Sequence, residues 1–272
     1  DVFHNTLLEI EGELGKSEGP WFLGGPNLSI VDLTYVPHLE RMAASCAYWK
    51  GFQIRGNKAY PNINRWFEAL EEKESYMATK SDFYTHVMDI PPQYGNGIFS
   101  SEAESSGFKS AIEGKDGISW KLQSSPKGSV LKDLEPVLPV NDKGEEWYRH
   151  EAACMLIKNC NNVVRFSCRG AGRSSGWNLL PGRAPLADPN ATPNENFLPV
   201  IDELLRFTAM KMLSGEIGDS KCFVNKDSVA SGAIECLAYL RDRIGVPRDM
   251  SYLAAISLRS YINWVIDMLI QK

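Results

Sequence analysis

The stretch Phe22-Leu-Gly-Gly-Pro-Asn-Leu-Ser-Ile-Val-Asp32 decides how the first third of this chain folds. Ser29 and Asp32 stand at the S-x-x-D spacing of a capping box, in which the hydroxyl accepts a backbone N–H and the carboxylate reaches back to the cap N–H. Leu28 before the cap and Leu33 after it supply a hydrophobic staple, which sets the angle of chain entry. The carboxylate also lies against the positive end of the helix dipole. Beyond the box, Ile30, Val31, Leu33, Val36, Leu39 and Met42 predict a long apolar helix to about Tyr48. Pro37 is expected to kink or split it.

A capping box is common, and its context carries more. Leu23-Gly24-Gly25 precedes it, and Tyr60-Pro-Asn-Ile-Asn-Arg-Trp-Phe67 follows and opens a second helix with Pro61 in its first turn. This order resembles the helical C-terminal domain of the glutathione S-transferase family, whose buried helix starts at such a box. Tyr48-Trp49-Lys50-Gly51-Phe52, Lys80-Ser-Asp-Phe-Tyr-Thr-His86 and Pro91-Pro92-Gln93 resemble its plant, algal and cyanobacterial branch. The resemblance covers residues 1 to about 95. It implies a thioredoxin-like partner domain that binds glutathione and supplies the Tyr, Ser or Cys that stabilises the thiolate. No residue of this chain stands at a matching position, so no catalytic residue is assigned.

At 272 residues and 43% apolar content, the chain is long enough for two cores. A net charge of −5 argues against a nucleic-acid binder, which is usually basic. No run of eighteen apolar residues occurs, and the stretch Tyr252 to Ile270, broken by Arg259, Asn263 and Asp267, reads as an amphipathic core helix with no transmembrane segment. Six cysteines without C-x-x-C or zinc-ligand spacing read as reduced, mostly buried thiols in a reducing compartment. Asn27-Leu-Ser and Asn190-Ala-Thr match glycosylation sequons, which carry little without a secretory signal. Asp1, standing where an initiator methionine would, is read as a processing boundary.

The fold expected is all-α, in three parts: a glutathione S-transferase C-terminal-like helical domain over 1–95, a linker or extended insertion over 96–144, and a four-helix bundle-like domain over 145–272. In the first part, Phe3, Leu7, Ile10 and Leu14 line one helix face, and an extended segment is expected at Ile90-Pro91-Pro92. In the third, one helix is expected from Glu145 to about Arg169, with Trp147, Cys154, Ile157, Val164 and Phe166 among its apolar positions. Asn194 caps the next, Asp227 or Ser228 starts a third, and Ser251 to Ile270 forms the fourth.

Two groups are candidates for function. Cys168-Arg-Gly-Ala-Gly-Arg-Ser-Ser-Gly176 pairs glycines with arginines, so Arg169, Gly170, Gly172 and Arg173 are read as a weak anion nest, with Cys168 lowered in pKa by Arg169. It follows a helix, the wrong dipole end for phosphate, so a plain helix-to-loop exit is the competing reading. Tyr48, Trp49 and Phe52 are candidates for a pocket or partner surface, or for plain helix-end packing. His38, His86 and His150 are too scattered for a metal set, and no cofactor is identifiable.

Two functional readings follow. One is a non-catalytic interaction or scaffold subunit of a plastid, photosynthetic assembly, with protein partners and peripheral membrane-complex association. The other is the C-terminal part of a glutathione-dependent transferase, with glutathione as cofactor and helical residues shaping the electrophile pocket.

Overall fold

The computed structural model describes residues 2–94, 97–121, 134–135, 143–172, 191–215 and 227–271, and for 89–94 and 227–229 the backbone alone. Every regular element among these residues is helical. The first half carries α1 (Val2–Leu14), α2 (Ile30–Lys50), α3 (Pro61–Glu71), α4 (Glu74–Met77), α5 (Phe83–Tyr94), α6 (Ser101–Ser105) and α7 (Phe108–Ile112). The second carries α8 (Glu145–Lys158), α9 (Cys160–Ser167), α10 (Leu198–Ser214), α11 (Asp227–Arg241) and α12 (Tyr252–Ile270). Over its described residues the chain divides into two compact units. One is drawn from Asp1–Val87, Ile98–Ser119 and Gly128–Val137, the other from Met88–Gly97, Trp120–Lys127 and Leu138–Lys272.

In the first unit α1 packs on α3, and α6 and α7 pack on α2. Leu7 and Leu14, Leu39 and Ala44, and Ile63, Trp66 and Leu70 are fully or almost fully buried there. Helix α2 is continuous through Pro37, which its sequence had predicted as a kink or break. Both ends are fixed: the box holds the start, and Gly51 at φ 64° closes the end. The Gly51 N–H donates to Ala47 O at 3.2 Å and the Phe52 N–H to Cys46 O at 3.0 Å, a left-handed closure that satisfies two terminal carbonyls. A Cβ on Gly51 would also lie 2.4 Å from Glu102 O, so α6 needs glycine there. Helix α5 likewise runs through Pro91 and Pro92 to Tyr94, where an extended segment was expected. Proline's fixed φ already suits a helix, although each ring removes one N–H···O bond from that last turn.

Residues 101–112, placed by sequence in a linker, form α6 and α7 and bury Ala103, Ala111 and Ile112. The single helix expected from Glu145 to Arg169 is two. Asn159 interrupts it at φ −134°, where its carbonyl accepts the N–H groups of Asn162 and Val163, both at 3.0 Å, and its side chain accepts Asn162 Nδ2 at 2.9 Å. The non-helical backbone at Asn159 ends one helix there and begins the next. The inward face of α8 is Tyr148, Ala152, Ala153 and Leu156, while Trp147, Cys154 and Ile157 are exposed. Small alanines admit α10 and α12, both of which pack on α8.

Helix starts in both units rest on carboxylates from elsewhere in the chain. Glu11 of α1, 9% exposed, accepts the N–H groups of Asn62 and Ile63 at the first turn of α3, at 2.8 and 2.9 Å. Glu151 of α8 accepts the N–H (2.8 Å) and hydroxyl (2.6 Å) of Ser251, the cap of α12. By length and composition α12 is apolar enough to cross a membrane, yet it runs through the core of the second unit with 61% of its apolar window buried. Its fully buried Arg259 donates to Ile244 O at 2.6 Å.

Because Glu11 satisfies orphan donors at a helix N-terminus inside the core, Glu11→Ala is expected to lower the unfolding free energy by about 2–3 kcal/mol. Urea unfolding of wild type and variant measures this, and a change below about 0.5 kcal/mol would show the contact to be incidental.

Candidate functional site

Asp32 is the centre around which the first unit is organised. The capping box forms at Ser29 and Asp32. Asp32 Oδ2 accepts the Ser29 N–H at 2.8 Å and the Ser29 hydroxyl at 2.6 Å. Oδ1 accepts the Phe22 N–H at 3.1 Å and Trp66 Nε1 at 2.9 Å. One carboxylate thus ties the loop before α2, the cap itself and the middle of α3. Its residue has no exposed surface. Burial alone would raise its pKa; the bonds from Ser29, Phe22 and Trp66 outweigh that and hold it below the usual carboxylate range. Leu28 is half-buried and Leu33 is 54% exposed, so the staple position faces outward while the polar half of the box faces in.

Tyr48 and Trp49, read as a pocket or partner surface, are only 7% and 6% exposed. The chain's own segment covers them. Phe99 lies 5.7 Å from the Tyr48 ring, and Tyr48 donates its hydroxyl to Glu113. Glu113 also pairs with Lys109 at 3.1 Å and Lys115 at 2.6 Å. Burial would raise its pKa, but Lys115, Tyr48 and Lys109 bring it below its ordinary value. Phe52 is half-buried among Phe3, His4 and Tyr60.

The histidines do not converge. His38 is exposed, and His4 shares a 2.9 Å bond with the Tyr60 hydroxyl. Burial pushes His86 down to about 4, and its Nε2 has no partner in a void of about 10 Å³ beside Glu40, Arg55 and Lys80. That void is the size of one water. Among the described residues no three His, Cys, Asp or Glu side chains are placed to hold a metal ion.

In the second unit the glycines of the candidate nest are required by close approach. A Cβ on Gly170 would sit 2.3 Å from Glu235 O in α11, and one on Gly172 would sit 1.8 Å from Thr192 O. Arg173 lies outside the described residues. Cys168 is fully buried, and desolvation, with Cys236 beside it, pushes its thiol up to about 12, opposite to the lowering expected from Arg169. Arg169 itself lines a cavity whose other cations, Lys158, Arg165, Arg243 and Arg248, were not assembled by reading the sequence. The available signal was an aromatic residue three or four positions ahead of an arginine, Phe166 before Arg169 and Tyr239 before Arg243.

A helix opened by a buried serine–aspartate box and clamped by Trp66 defines the first unit as a small helical domain of one class. Residues 1–69 match the family described as glutathione S-transferase, C-terminal domain. The N-terminal region therefore carries a glutathione S-transferase-superfamily helical fold. Protein IN2-1 homolog B of Oryza sativa subsp. indica is 36% identical over 78 residues, 28% of this chain and 30% of that protein. Glutathione S-transferase L1 of Arabidopsis thaliana is 34% identical over 74 residues, 27% of this chain and 30% of that protein. Glutathione S-transferase hmp2 of Hypomyces subiculosus is 28% identical over 81 residues, 29% and 34% of the two chains. The chain spans about a third of the length of these curated relatives.

Asp32→Asn leaves amide hydrogens facing donors and is expected to cost about 2–4 kcal/mol at neutral pH. Since the folded carboxyl titrates below its unfolded value near 4, its contribution is complete above that pH and is lost as pH falls through the folded pKa. The gap between wild type and Asp32→Asn should therefore be full at pH 7 and narrow at pH 3 in chemical unfolding. An equal gap at both would remove the ionised carboxylate from the account.

Proposed function

We propose that the Asp32-centred helical domain is the electrophile-side half of a glutathione-dependent transferase of the plant type, working with a thioredoxin-like domain that supplies the thiol site. The observation that carries this reading is the family match over residues 1–69, the stretch that folds around Asp32. The names of its rice and Arabidopsis relatives support the plant type.

Thiol chemistry fits the same division of labour. A thiolate nucleophile needs a donor or positive field to bring its pKa toward neutrality. Among the described cysteines, burial moves Cys46 up to about 11 and Cys168 up to about 12, away from that requirement. Glutathione itself then supplies the nucleophilic sulfur, activated on the partner domain, and the helical domain contributes shape and apolar contact to the second substrate.

The scaffold reading, a plastid assembly subunit with protein partners, is favoured by one observation. The family match ends at residue 69, whereas the second unit builds a separate core from Ile201, Leu237, Ile262 and their neighbours.

The full-length gene product is expected to bind glutathione in isothermal calorimetry and to form the thioether between glutathione and an aryl halide. A folded full-length protein that neither binds glutathione nor conjugates the halide would sink the transferase reading and leave the scaffold role.

A further inference from the structure

The second unit carries a half-open cavity of about 980 Å³ among α8, α9, the end of α11 and the turn before α12. Among the described residues five cations line it: Lys158, Arg165, Arg169, Arg243 and Arg248. Among the described residues Asp249 is the one acid in the lining, and its carboxylate is already engaged by Arg248 and by the Gly245 N–H, both at 2.8 Å. Arg165 shares a 3.3 Å pair with Glu195, exposed on both sides and so of little worth. A cationic recess of this kind stands out in a chain whose net charge is −5.

Two of the arginines are held in place before any ligand arrives. The Arg243 guanidinium lies 3.6 Å from the Tyr239 ring centroid, and Arg169 lies 5.2 Å from that of Phe166. The two rings are themselves 5.2 Å apart, so one aromatic pair positions both guanidiniums. Arg243 Nε is buried without a hydrogen-bond partner, and no carboxylate among the described residues pairs with Arg243 or Arg169. A planar donor fork stacked on a ring loses little freedom when it accepts an oxyanion.

Much of the remaining wall is aliphatic, from Met155, Leu156, Val163, Ile244, Met250 and Leu258, while Asn159 and Asn162 add two amides and Phe166 the edge of its ring. Guanidiniums occupy a face of each ring, which leaves alkyl surface, not an aromatic platform, for the body of a ligand. The volume is at the upper end of the range for small-molecule sites, about 300–1,000 Å³.

We propose that this cavity binds a small organic anion with an aliphatic body, its carboxylate or phosphate seated on Arg169 and Arg243 and its chain against the methionine- and leucine-lined wall. This site is independent of the transferase reading, which concerns the other unit. Lys158, exposed at the rim, attracts the anion toward the opening.

Calorimetric titration of the whole chain with decanoate, decyl phosphate, decanol and inorganic phosphate tests this. At least one of the two decyl anions is expected to bind saturably at one site, with decanol about tenfold weaker or worse, and the tighter anion identifies the headgroup. Arg243→Met and Arg169→Met should each weaken that anion about tenfold, and Arg243→Lys, which keeps the charge but not the fork, should fall between. Should the methionine variants fail the thermal-unfolding check, Lys158→Met at the exposed rim supplies the readout, with a weaker affinity and a shallower dependence on salt. The proposal is overturned if neither anion binds saturably, if decanol binds as well as they do, or if folded arginine variants bind undiminished.

Discussion

A buried carboxylate accepting hydrogen bonds from three separate segments constrains the first unit more than any apolar contact does. Once Asp32 is out of water, each of its lone pairs must find a donor, and the donors available are the Ser29 cap, the Phe22 N–H and the Trp66 indole. Those groups are fixed at three points of the chain. The direction of α2, the path of the Leu23-Gly-Gly25 turn and the rotation of α3 about its axis are therefore set together. Apolar contacts tolerate sliding by a fraction of a turn; the Trp66–Asp32 bond does not.

The same device recurs at three further helix starts. Glu11 serves the start of α3, Glu135 accepts the Phe83 N–H at 2.8 Å at the start of α5, and Glu151 serves Ser251 ahead of α12. In each case an anion from a remote segment meets the positive end of a helix, where four N–H groups lack intrahelical partners. Local capping would have fixed each helix alone. Capping at a distance of 51, 52 or 100 residues also fixes where the helix lies in its unit.

The Asp32 box was legible because its signal is local: a serine and an aspartate three positions apart, with a turn before and an apolar run after. The inward face of α1 was legible for the same reason at Leu7, Ile10 and Leu14, though Phe3 of that reading is 37% exposed. So was the Asn194 cap, whose side chain accepts the Asn196 N–H at 3.2 Å in the short turn ahead of α10. What failed to show was whatever depends on a partner. The face of α8 turns on Ala152 and Ala153, whose value is the close approach they permit and not their hydrophobicity. The aromatic run at Tyr48 allowed a surface as well as the helix-end packing it adopts, because α6 and α7, which cover it, carry weak helical signals of five residues each. Glu11 and Glu151 carry no local signal, since nothing nearby in sequence shows the helix ends they meet.

The cationic cavity shows how local and remote information combine. Phe166 with Arg169 and Tyr239 with Arg243 are each a visible aromatic–arginine pair at helical spacing, and each alone is a common surface arrangement. They acquire a joint meaning only when α9 and α11 bring the two rings to 5.2 Å, which places both guanidiniums on one recess. Gly170 makes that approach possible, because any side chain there would collide with the Glu235 carbonyl of α11. The glycine that first suggested an anion nest thus serves anion recognition indirectly. It brings two helices close enough for their arginines to face the same space.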